Sequence, residues 1–341
     1  MQFPRRCGSD YTQLQNFQVF AERCCDIMNG VLPGSGEMAA LAAAALWACS
    51  SLFYSKVRLT AWQINFGKNV LASGILLLHL SLQSLFLDTP LLSVDRRAAF
   101  WLVLSSLTGI VIGDTLYFRS LQILGARRAL IVSTTSPLFA ASAGWLLLSE
   151  PLSVMALLGL CLTMSGVFLV VTDRPASGEV SQHFPASVMR GVLAGLGGAV
   201  CNASGAMFSH LATYNSSDTA TSASTCSPLE ATFVRVGFAA LLSAGLLICT
   251  GRLRETARPA FDRHILPAYL PAVICGPWLG IWMSQIAYRD SLLAVANTLT
   301  CTSPIFVLPL LRLAFGTPIS LRGLFGAVIS VAGIYLTVAG K

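Results

Sequence analysis

A pattern laid down between Gly113 and Val171 returns 167 residues later without a gap. Gly113 falls on Gly280, and Thr135-Ser136-Pro137-Leu138-Phe139 falls on Thr302-Ser303-Pro304-Ile305-Phe306. Further on Pro151 meets Pro318, Ser153 meets Ser320, Gly159 meets Gly326 and Gly166 meets Gly333. Both copies are built from apolar runs of about 20 residues, the length that spans a bilayer as a helix. A repeated set of membrane helices is the usual sequence trace of a secondary transporter.

Ten such spans are expected, over 38–57, 62–82, 99–119, 129–148, 152–172, 191–211, 229–249, 268–288, 294–314 and 319–339. Span two matches span seven in the same register, with Phe66 on Phe233 and Lys68 on Arg235. Span one matches span six at an offset of 154, bringing Ser50 onto Ser204, Ser55 onto Ser209 and Lys56 onto His210. The change of register falls in a Ser/Thr-rich stretch, 212–228, which reads as a loop insertion. The chain therefore divides into a flexible N-terminal tail (1–35), a first repeat (36–172), a linker (173–190) and a second repeat (191–339). Five crossings per half is an odd number, so the second half enters the membrane from the opposite side. The expected fold is all-α and polytopic: ten transmembrane helices in two inverted five-helix repeats, a plan that permits alternating access around a central site.

Composition agrees. Apolar residues make up 55% of the 341 and charged ones 11%, against about 25% charged in a soluble domain. The net charge of +7 belongs to loops facing anionic headgroups, and no aromatic-basic platform argues for nucleic acid. Residues 1–35 carry acids and bases together and lack the apolar core of a secretory signal. Of ten cysteines, six lie inside spans, where they behave as small hydrophobes. No cysteine pair has zinc-site spacing and the four histidines are isolated in sequence, so no metal and no cofactor is expected.

Charges within spans cost about 2.5–3.5 kcal/mol each at a helix centre and normally face a cavity or a partner. Lys68 and Arg235, at repeat-equivalent positions, read either as cavity cations for an anionic or zwitterionic solute or as snorkelling side chains. Arg119 and Arg312, near span ends, fit snorkelling better. Asp114 is too short to snorkel; it either holds a base such as Arg128 or takes part in transport by binding a proton or cation. Its counterpart is Ile281, so its role is asymmetric. Uncharged polar residues gather around two prolines: Ser133, Thr134, Thr135 and Ser136 before Pro137, and Asn297, Thr298, Thr300, Thr302 and Ser303 before Pro304. Proline frees a helix carbonyl that nearby hydroxyls can satisfy, so Pro137 and Pro304 mark expected helix breaks. These breaks read as a solute site, with helix packing as the plain alternative. Tyr117, Asn202 and Gln285 would complete the lining, with Trp47, Tyr54 and Asn65 as weaker additions.

An enzyme is not expected. Gly113-Asp114 has Val111 where intramembrane aspartyl proteases need glycine, and Tyr288-Arg289-Asp290 does not supply their second signature. No Ser/His pair or histidine cluster supports other membrane chemistries. A non-transporting membrane scaffold is the remaining alternative.

The stretch Ile112-Gly113-Asp114-Thr115-Leu116-Tyr117-Phe118-Arg119-Ser120-Leu121, with Leu124-Gly125-Ala126-Arg127-Arg128-Ala129, Ser136-Pro137 and Ser149-Glu150-Pro151-Leu152-Ser153, resembles the EamA family of the drug/metabolite transporter superfamily. The resemblance covers about 38–339. It implies ten helices in two inverted repeats that move a small metabolite through a central cavity, with a coupling proton or counter-substrate as the further partner. Substrates across the superfamily are too varied to name one. Family members often carry arginine where Lys68 stands, and the second copy has Thr317 where the first has Glu150. Orientation is expected from loop charge: odd-numbered connections hold twelve Lys or Arg and even-numbered ones three, which puts both termini outside. The termini soften the count to twelve against seven, and the resemblance implies the opposite orientation.

Overall fold

The computed structural model describes residues 34–54, 57, 59–88, 90–124, 129, 132–150, 152–172, 185–214, 226–315 and 320–340, and among them there is no strand. The helices are α1 (Ser35–Tyr54), α2 (Ala61–Leu87), α3 (Arg96–Leu124), α4 (Ser136–Leu147), α5 (Val154–Thr172) and α6 (Pro185–Thr213). They continue with α7 (Pro228–Cys249), a short α8 (Leu253–Ala260), α9 (Leu266–Asp290), α10 (Leu293–Thr300), α11 (Ser303–Phe315) and α12 (Leu321–Ala339). Helix α6 begins at Pro185, inside the stretch expected to be linker. Most of the 212–228 loop lies outside the described residues.

Among the described residues seven helices (α1, α2, α3, α6, α7, α9 and α12) are long and apolar enough to cross a membrane. The other three expected spans hold shorter apolar stretches: Ser136–Leu147, Val154–Val170 and Leu293–Val307. The fourth and ninth are shortened because each is interrupted at its Thr-Ser-Pro block. The turn residues Thr134 and Thr135 precede α4, and Cys301 and Thr302 separate α10 from α11. Leu85, Phe86 and Leu321 are 77%, 78% and 86% exposed, while Ala40, Ala43 and Ala44 are fully buried. Large apolar side chains outside and small ones inside is the arrangement a lipid solvent favours, since close backbone approach replaces the hydrophobic drive.

The repeat reaches the helix ends. Thr60 caps α2 and Ser227 caps α7, each in a reciprocal capping box, with Gln63 and Glu230. Ser153 and Ser320 accept from the backbone N–H three residues on, opening α5 and α12. Helices α5 and α12 then pack through repeat-equivalent glycines. A Cβ added to Gly159 would stand 2.3 Å from Thr337 N and 2.7 Å from Gly333 O; one added to Gly333 would stand 2.3 Å from Thr163 N and 2.8 Å from Gly159 O. Gly166 meets Gly326 O at 2.5 Å and Gly326 meets Gly166 O at 2.8 Å. Contacts run in opposite order along the two helices, so they are antiparallel, and the exchange of partners is what a local two-fold relation produces.

A feature that apolar periodicity does not announce is a π-helical stretch in the middle of α3, Ser106–Asp114, matched by one in α9, Ile274–Gly280. Wide turns leave backbone carbonyls short of donors, and side chains from neighbouring helices supply them. Asn65 Nδ2 donates to Ile110 O (3.0 Å), and Ser50 Oγ donates to Ala272 O (2.8 Å), five residues before Pro277, which has no N–H to give. Glycines bring the neighbours close enough: a Cβ on Gly205 of α6 would lie 2.7 Å from Gly109 Cα, and one on Gly276 would lie 2.5 Å from Ser50 Oγ.

Candidate functional site

Helices α2, α3 and α7 converge where the first π-helical stretch ends. Lys68, from α2, is 1% exposed and ion-paired with Asp114, the last residue of that stretch. The expected base Arg128 lies outside the described residues; the partner present is Lys68. Asn65, one turn before Lys68, donates to Thr115 Oγ1 (3.1 Å) as well as to Ile110 O, and receives Asn69 Nδ2 (3.2 Å). These bonds fix the rotation of α2 against α3, and Lys68 is held over the Phe118 ring at 5.9 Å. Tyr117 lies close enough to Asp114 to feel its charge.

Arg235 enters from α7 at the position equivalent to Lys68, and its situation is different. It is 8% exposed, and among the described residues its guanidinium has neither a carboxylate within ion-pair distance nor a hydrogen-bond acceptor. It occupies space left by Gly109, where an added Cβ would stand 3.2 Å from Nη2. Gly109 is five residues before Asp114 on α3, and Arg235 couples electrostatically to both Asp114 and Tyr288. Snorkelling is ruled out for Lys68 and Arg235 by their burial, whereas Arg119 and Arg312 are exposed, as expected for span ends.

The polar residues of the broken helices divide into two groups. Asn297 Nδ2 donates to Ser136 Oγ (3.2 Å), which donates to Asn202 Oδ1 (3.3 Å), joining α10, α4 and α6 across the two halves. Gln285 is fully buried, accepts from Ser209 Oγ and leaves its Nε2 without an acceptor. By contrast Thr135 bonds Val132 O (2.7 Å), Thr302 bonds Leu299 O (2.6 Å) and Ser303 bonds Thr300 O (3.1 Å). Their hydroxyls close the carbonyls opened by the breaks at Pro137 and Pro304 and are not free for a solute.

Two further features lie outside the central residues. A cavity of about 580 Å³ lies between the ends of α2, α7 and α9, lined by residues including His79, Phe86, Leu229 and Trp282, and it does not include Lys68, Asp114 or Arg235. The second is His210, a histidine isolated in sequence that has partners in space. Its Nε2 is 2.7 Å from Glu150 Oε1, its Nδ1 is 2.6 Å from Tyr288 O, and its ring stacks on Tyr214 at 4.2 Å. Burial, then the charge of Glu150, pushes the Tyr214 phenol up from its ordinary value. Sequence offered one signal for this pair, the acid that appears in one repeat and not the other. Among the described residues no group of His, Cys, Asp and Glu could hold a metal ion.

Comparison with known proteins agrees with this architecture. A curated relative from Archaeoglobus fulgidus, named an uncharacterized transporter, is 30% identical over 146 residues, which is 42% of this chain. The match spans half the length of that relative. A solved crystal structure shares the fold with a TM-score of 0.69 at 16% identity, covering 89% of this chain and 96% of its own. The model of the EamA-like transporter family matches residues 34–172 and again 189–339. The chain is an integral, multi-pass membrane protein and belongs to the EamA-like transporter family.

Proposed function

We propose that this protein is a secondary transporter that carries a small anionic or zwitterionic metabolite by alternating access between two inverted five-helix repeats. The observation that carries the solute class is Arg235. A guanidinium without a counter-charge is expensive away from water, and a site that leaves one unpaired is suited to an anionic ligand that arrives and departs. Lys68 is not available for this, because Asp114 neutralises it. The Asn297–Ser136–Asn202 chain and Gln285 Nε2 supply the neutral donors and acceptors that orient the rest of the solute. The antiparallel, partner-exchanging contact of α5 with α12, and the matched π-helical stretches in α3 and α9, support inversion of the repeats. Read this way, the seven long helices and three shorter apolar stretches make ten crossings. Family membership favours a transporter over an enzyme.

The test is a thermal-shift screen of the purified protein against amino acids, nucleotide sugars and sugar phosphates, followed by uptake in reconstituted vesicles. A stabilising solute should carry a carboxylate or phosphate, and Arg235→Ala should abolish its shift and its uptake while leaving the Tm without solute nearly unchanged. A stabilising solute with no anionic group, or an Arg235→Ala protein that still transports, would overturn the assignment.

A further inference from the structure

The Glu150–His210 pair lies at the face where α1 begins, α12 ends and the α4–α5 and α9–α10 connections sit: Gly36 abuts Ser291, and Gly340 abuts Ser153. Glu150 is on the α4–α5 connection and His210 near the end of α6; they are 8% and 2% exposed. Oε2 of Glu150 accepts from the Leu293 N–H (3.0 Å), the first residue of α10, so the carboxylate caps a helix N-terminus. Across the ring, Nδ1 of His210 faces the Tyr288 carbonyl at 2.6 Å. A carbonyl oxygen only accepts, so Nδ1 must carry a proton. Nε2 then faces Glu150 Oε1 at 2.7 Å, off the axis of the ring N–H, and Oε1 has no other donor. A neutral imidazole with its proton on Nδ1 would set a lone pair against a carboxylate oxygen at that distance. Attraction at both nitrogens requires one additional proton, held between Nε2 and Oε1.

From this geometry we infer that Glu150 and His210 form a proton-binding site that locks the terminal face of the transporter. The lock ties the α4–α5 connection of the first repeat to α6, α9 and α10 of the second. The titratable and charged groups on the surrounding elements are Tyr214 at the end of α6, the Arg289–Asp290 pair ending α9 (2.7 Å), to which Ser35 of α1 donates, and Glu37 near the start of α1. Helix α10 contributes no charged side chain. The locked state holds the proton, so the lock is complete at low pH and lost as pH rises. In sequence the repeat equivalents of Glu150 and His210 are Thr317 and Lys56, neither of them an acid. On the transport reading this pair is the coupling site of the transporter; that last step rests on that reading, while the lock itself does not.

Hydrogen exchange of the full chain in detergent tests the lock without any solute. After correction for intrinsic rates, opening that releases one proton should become about tenfold more favourable per pH unit, and exchange across 286–294 should rise accordingly. The α5–α12 contact should not change. Glu150→Gln and His210→Gln should each remove the slope. In a variant with His79, His183 and His264 replaced by Gln, which keeps the pair intact, the NMR titration of His210 should share its midpoint with the rise in exchange. A flat wild-type profile, an equal slope in either Gln variant or across α5–α12, or a separate midpoint for His210 would overturn the lock. A protein with the lock that fails to transport would instead count against the transport reading alone.

Discussion

Lys68 and Arg235 occupy the same place in two copies of one pattern, yet one is neutralised and the other is not. The first copy supplies Asp114 to its cation; the second has Ile281 at the matching position, 5% exposed. Two unpaired buried cations would each be costly in a low-dielectric interior. One internal acid removes half of that cost and, on the proposed reading, leaves a single site for an external anion. The comparison teaches that equivalent positions in the two copies need not share a role: Asp114 pairs the first cation, and the apolar Ile281 gives the second no such partner.

The largest effect should follow from leaving an acid without its partner. Lys68→Ala strands Asp114, and loss of one member of a buried pair costs about 3–5 kcal/mol. Folded yield and Tm should fall sharply, with part of the loss recovered in the Lys68→Met/Asp114→Leu double variant. An additive double variant would mean the two residues are not coupled.

Next comes the conversion of the second half into the first. Ile281→Asp should give Arg235 the partner that Lys68 already has. Solute-induced stabilisation should then drop by roughly 10–100-fold in affinity, the range for losing a hydrogen bond to a charged group, while folding is retained. Unchanged affinity in that variant would show that Arg235 is not the binding group.

The α5–α12 contact offers a symmetric control. Gly166→Ala and Gly326→Ala add methyls against each other's backbone, and overpacking of this kind costs about 1–3 kcal/mol. Similar Tm losses are expected for the two. Markedly unequal losses would break the reciprocity that supports inverted repeats. Smaller still are the caps: Thr60→Ala and Ser227→Ala should each cost about 1 kcal/mol, read from chemical denaturation.

The smallest effect concerns a thiol at the terminal face. Burial, then Glu230 and Asp95, push the Cys226 thiol up to about 12. The thiolate is the reactive form, so alkylation of Cys226 at pH 8 should be slow and should accelerate only as pH approaches that value. Rapid labelling at pH 8 would show that the α6–α7 end is open.

What the sequence determined by itself was local or repetitive. Apolar runs marked the spans, prolines after hydroxyl clusters marked the breaks before α4 and α11, and the 167-residue register marked the two copies, down to the serines that open α5 and α12. These depend on short-range hydrogen bonding and on length, which a chain states directly. Lys68, Asp114 and Arg235 were identifiable as costly residues for the same reason. Their partners were not, because a pairing depends on how each helix is rotated about its axis. That rotation comes from the approach of Gly205 to Gly109 and from the π-helical widening of α3. It brings Lys68 to Asp114 across 46 residues and leaves Arg235 beside Gly109 with no carboxylate within ion-pair distance among the described residues. Glu150 and His210, 60 residues apart in two different repeats, meet only because α4, α6, α9 and α10 converge at one face. The sequence could name residues too costly to be idle; only the packed helices could decide which of them neutralise one another.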